Sequence, residues 1–100
     1  MEAIAAVAIM TPGAGQADEM QKHLASLGDL TRQEPGNRNY SVIKLDSTPP
    51  RFVVFEVFEN REAYEAHEKN PDVTSVASTI TAILAGADIL TGVVVDSGAF

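Results

Sequence analysis

One hundred residues, 45% of them hydrophobic, are enough for one domain with one core and leave no room for a second. Fourteen acidic against seven basic residues give a net charge of -7, which excludes the broad phosphate-neutralising surface of a nucleic-acid-binding protein. The chain has no cysteine, so disulfides, thiolate nucleophiles and thiolate metal ligands are excluded together.

The opening MEAIAAVAIMTPG is apolar but short, carries Glu2 in front and lacks the basic start of a signal peptide. No later stretch approaches the roughly 20 apolar residues that span a bilayer. A cytoplasmic protein without a membrane partner is therefore expected. Glu2 to Met10, small and β-branched, reads as a buried strand stopped by Thr11-Pro12-Gly13. The Gly13-Ala14-Gly15 turn has neither the lysine nor the spacing of a phosphate-binding loop, so it is read as a plain turn.

From about Gly15, Ala17, Met20, Leu24 and Leu27 recur at helical spacing, and Asp18 and Glu19 complement the positive end of the helix dipole. The helix is expected to run to Glu34-Pro35-Gly36, with Gly36 in the left-handed conformation. His23 falls off the apolar stripe and is read as solvated. Asn39 to Asp46 alternates as a second strand, and Ser47-Thr48-Pro49-Pro50 turns the chain into a third, Arg51 to Glu59, which pairs back as a hairpin.

Asn60 is a candidate N-cap for a helix to Lys69, and Asn70-Pro71 supplies a second cap with proline at the first helical position. Pro71 to Ala85 places Val73, Val76, Ile80 and Leu84 on one side at helical period. Gly86 is expected to end it, before a Val-rich strand over Ile89 to Asp96. The order β-α-β-β-α-β over residues 1–100 predicts a single α+β domain of the ferredoxin-like type, with a four-stranded antiparallel sheet.

Helices on one side of such a sheet bury one face, and a half-solvated sheet should then alternate apolar with polar residues. This one does not. The third strand offers Phe52, Val54, Glu56 and Phe58 on one face and Val53, Phe55 and Val57 on the other; the first strand is apolar on both. Each Val or Phe left in water forgoes roughly 1.5–3 kcal/mol, so a second copy packed sheet to sheet is expected.

The residues EPGNRNY followed by RFVVFEVFENREAYEAHEKNP resemble the central signature of the antibiotic biosynthesis monooxygenase family, and the resemblance in element order covers nearly the whole chain. It implies a dimeric α/β barrel and oxygenation of a quinol-like, anthrone-like or other aromatic small molecule, with dioxygen as co-substrate and without metal, flavin or haem. The alternatives it leaves are an isomerase or other tailoring enzyme on the same fold, or a non-catalytic ligand-binding or interaction dimer.

The family's pocket lies between sheet and helices. That implies a constellation of Glu56 with Phe52, Val54 and Phe58 on its strand face, and Tyr64 and His67, three apart on the adjoining helix. His67 is either a base near neutral pH or a locally packed helix-surface residue. Tyr64 is either a donor to developing negative charge or a core aromatic. Glu56, a carboxylate on an apolar face, either serves chemistry or pairs with Arg51, Arg38 or a backbone donor.

The chain also departs from the family pattern. Phe58 stands where family oxygenases often have Trp, Val54 where some carry Asn, and Asn70-Pro71-Asp72-Val73 where a second His is common. The first strand lacks the Asn that the haem-degrading branch uses there, which points away from haem degradation.

Overall fold

The computed structural model describes residues 2–98. Its elements are β1 (Ile4–Pro12), α1 (Ala17–Thr31), β2 (Asn37–Lys44), β3 (Phe52–Phe58), α2 (Arg61–Lys69), α3 (Pro71–Thr81) and β4 (Leu84–Val93). The strands form one sheet in the order β2-β3-β1-β4, antiparallel at every pairing, which is the ferredoxin-like βαββαβ arrangement. None of the described helices is long and apolar enough to cross a membrane.

Register decides which face each residue serves. Ala8 lies opposite Val54 on β3 and Ile89 on β4, and Val42 on β2 opposes Val54, so these four share the face toward the helices. There Ala8 and Val54 meet Met20, Leu24 and Leu27 of α1 and Val73 and Ile80 of α3 in the core. The Tyr40 hydroxyl donates to Leu24 O at 2.8 Å, fastening α1 to β2. Burial pushes this phenol far above its ordinary range, so it stays a donor.

The strands shift by a residue or two from the sequence expectation, and the larger differences fall at the end of α1 and around the junction of α3 with β4. α1 stops at Thr31, because Glu34 precedes Pro35 and is driven from helical geometry; the chain tightens instead into bonds from Gln33 N to Leu30 O and Glu34 N to Thr31 O. Gly36 is not left-handed, since Gly15 alone has a positive φ among the described glycines. Its role is close approach: a Cβ on Gly36 would collide with the Cβ of Ala63 on α2.

At the other end, α3 ends at Thr81 and β4 already begins at Leu84, so Gly86 lies inside the strand, opposite Thr11. Pairing with β1 outweighs the local preference of Ala82 to Ala85. The caps do form: Asn60 Oδ1 accepts from Ala63 N at 2.8 Å, and Asn70 Oδ1 accepts from Asp72 N at 3.1 Å. His23 is half-buried, its Nε2 3.8 Å from Glu19, rather than free in solvent.

On the opposite face, Val7 lies between Phe55 and Leu90. Leu90 is 61% exposed and Ile43 50%, while Val7, Ile9, Val53 and Phe55 are half-buried. Val57, on that same face, is already buried within one subunit.

Candidate active site

The site is assembled where α2 crosses the end of β3. The Asn60 cap starts the helix, and the three-residue spacing of Tyr64 and His67 turns both rings to the sheet side. Phe58 packs behind them, its ring centroid 4.8 Å from that of His67 and 5.6 Å from that of Tyr64. Glu56, two residues earlier on the same strand face, reaches the other side of His67.

His67 is held between two carboxylates. Its Nδ1 lies 2.6 Å from Glu34 Oε1 and its Nε2 3.5 Å from Glu56 Oε2, and all three side chains are 14% exposed or less. The remaining oxygen of Glu34 accepts from Asn70 Nδ2 at 3.1 Å. A carboxylate can only accept, so Nδ1 carries the hydrogen and Nε2 is the nitrogen left to exchange a proton. Burial pushes the Glu56 carboxyl above its ordinary range; the charge of His67 opposes this, and those of Glu34 and Glu68 add to it. The Tyr64 phenol is likewise raised, by burial first and then by Glu68 and Glu56.

Beside this trio lies a cavity of about 280 Å³, close to the lower end of the roughly 300–1,000 Å³ of small-molecule sites. Ala6, Ala8, Val54 and Glu56 form its floor, Tyr64, His67 and Glu68 one wall, Val73 and Ala77 another. Ile89 stands at the rim, 66% exposed, because the helices do not cover β4. A larger hollow of about 550 Å³ over Gly36, Glu59 and Asn70 is more open, and it touches the trio only through Glu34. Among the described residues, no group of three or more His, Asp or Glu is placed to hold a metal ion.

Of the six residues singled out from the sequence, Glu56, Tyr64, His67 and Val54 line one cavity. Phe52 and Phe58 do not. Phe52 is wholly buried toward α1, against a separate hollow bordered by Val42, Lys44 and Arg32, and Phe58 backs the rings without reaching the cavity. The partner that the structure gives Glu56 is His67, not Arg51 or Arg38, the arginines named in the structural alternative. Glu34 was not anticipated, since it sits in a turn 33 residues before its partner. Its only sequence signal is the Glu-Pro-Gly motif, which reads equally well as a mere helix stop.

The fold is shared with known proteins. Rv0793 from Mycobacterium tuberculosis superposes with a TM-score of 0.88 at 19% identity, over 97% of this chain and 99% of that one. SnoaB, a cofactor-independent oxygenase from Streptomyces nogalater, superposes at 0.86 with 13% identity over 97% of each chain. SO0527 from Shewanella oneidensis does so at 0.85 with 22% identity, over 92% of this chain and 90% of its own. At such identities these likenesses show the fold. No curated protein matches the sequence. Residues 3–78, however, match the sequence profile described as antibiotic biosynthesis monooxygenase, and the chain belongs to that family.

Proposed function

We propose that this protein is a cofactor-independent monooxygenase that oxidises a quinol-like or anthrone-like aromatic with dioxygen, and that it works as a cytoplasmic homodimer. The observation that carries this reading is His67, fixed between Glu34 and Glu56 with Nε2 beside a largely apolar cavity. The family includes such oxygenases, SnoaB among them.

Without a cofactor, the electrons come from the substrate. His67 Nε2 takes the acidic proton of an anthrone methylene, and Glu34 stabilises the imidazolium through Nδ1. The resulting carbanion reduces dioxygen and forms a carbon–oxygen bond, giving a peroxide anion that is protonated by His67. Loss of the second C–H proton and cleavage of the O–O bond release water and leave a ketone, so that CH2 and O2 become C=O and H2O. Tyr64, kept protonated by burial and by nearby carboxylates, donates to the developing oxyanion. The apolar floor of Ala6, Ala8 and Val54 limits water around the carbanion.

The dimer is supported by the exposed Leu90 and Ile43 on the face without helices, and by the sheet's apolar character on both sides. Oxygen uptake with anthrone and quinol substrates tests the activity. The expected result is consumption unaffected by chelators and reduced by about 10²–10⁴-fold in His67→Ala. Turnover that continues without oxygen would instead identify an isomerase, and no uptake above the uncatalysed rate would end the oxygenase reading.

A further inference from the structure

The cavity wall carries charge of one sign only. Glu56 lies at its floor and Glu68 at its wall, and no Lys or Arg lines it. His67 is bracketed by Glu34 and Glu56, so its imidazole offers an incoming anion no cation that is not already paired. The hydrogens that an anionic ligand would need are mostly committed: Thr74 Oγ1 donates to Pro71 O at 3.1 Å, Asn70 Nδ2 to Glu34, and His67 Nδ1 to Glu34. The Tyr64 hydroxyl bonds to the Glu68 carboxylate at the wall, and His67 Nε2 faces Glu56.

We infer that this cavity takes an uncharged hydroxyaromatic of up to three fused rings and turns away its carboxylated analogue, with Glu68 as the specificity-determining residue at the wall. An anion entering here loses its water, meets no unpaired cation and approaches the exposed Glu68 carboxylate at the wall and the Glu56 carboxyl at the floor, so desolvation and like-charge repulsion work against it. A neutral ring loses little water and gains the apolar floor, where the small Ala6, Ala8 and Ala77 leave room for a flat molecule. The size follows from the volume of about 280 Å³. The inference rests on the oxygenase reading for the oxidisable hydroxyl alone; charge selection is a property of the cavity.

The test is binding of a matched pair, 2-naphthol and 6-hydroxy-2-naphthoate, followed by NMR shifts of the Tyr64 and His67 resonances in the full chain. The neutral compound is expected to bind at least about tenfold more tightly, the ratio that a like-charge cost of about 1.4 kcal/mol produces. Glu68→Gln should reduce that ratio and Glu68→Lys should reduce it further or reverse it. Equal or tighter binding of the naphthoate overturns the inference, as does a ratio indifferent to Glu68→Lys, or binding of neither compound at Tyr64 and His67. Oxygen uptake is read separately: selective binding with no uptake on any substrate removes the oxygenase function and leaves the charge selection standing. Uptake on quinols with indifferent binding does the reverse.

Discussion

Glu34 and His67 are 33 residues apart in the chain and 2.6 Å apart in space, the shortest polar contact between side chains that the site contains. It is made possible by Gly36, whose missing side chain lets the turn after α1 lie directly against Ala63 of α2. The carboxylate fixes which nitrogen of His67 carries hydrogen, as a carboxylate partner does for other buried histidines.

Replacing Glu34 by Ala is therefore expected to lower turnover by about 10–100-fold while His67 remains in place. The distinguishing readout is the ¹⁵N spectrum of the imidazole, which should change from a single Nδ1–H tautomer to a mixture. An unchanged tautomer in Glu34→Ala would show that other contacts orient the ring.

Glu56 provides a pH-dependent measure of the same site. Burial raises its folded pKa above the ordinary 4.5, so the folded state favours the neutral carboxyl, and stability from this group is lost as pH rises through the folded value. Glu56→Gln, neutral at every pH, should thus gain stability relative to wild type as pH rises above the ordinary carboxylate range in urea titrations. A difference that shrinks with rising pH would mean that the ion pair with His67 outweighs burial.

Gly28 offers a case where helix propensity predicts the wrong sign. In an exposed helix, Gly to Ala gains about 1 kcal/mol, but a Cβ here would lie 2.7 Å from the Tyr40 ring, which is held by its bond to Leu24 O. Gly28→Ala should therefore lose about 1–3 kcal/mol by denaturant unfolding. A stabilised variant would show that Tyr40 can move aside.

The dimer is tested at Leu90. It is 61% exposed in the single subunit, so Leu90→Asp should cost little in an isolated monomer. If the sheets of two copies meet there, the buried charge should shift the protein to monomer in sedimentation. A native dimer unaffected by this change would require a different interface.

Much of this fold was legible in the sequence because its signals are local. Asn60, Asn70 and Pro71 announce helix starts through side-chain chemistry a few residues away, and the alternation in β3 puts Glu56 and Val54 on one face. The same short-range geometry brings Tyr64 and His67 together. What was not legible depends on distant partners. The early start of β4 follows from pairing with Thr11 and Pro12, the role of Gly36 from Ala63, and that of Glu34 from His67. Phe52 shares a strand face with Glu56 yet lies four residues away, under α1, where the sheet is already closed over.

Asn70 has a wider consequence. Its side-chain carbonyl oxygen starts α3 while its amide nitrogen holds Glu34, so one side chain serves both the scaffold and the Glu34–His67–Glu56 cluster. Aspartate would begin the helix equally well, yet it would set a second carboxylate against Glu34, and serine would begin it but is too short for the same reach. Helix initiation and the position of the Glu34 carboxylate are thus tied to a single amide, and a substitution made at this position for the sake of one is felt by the other.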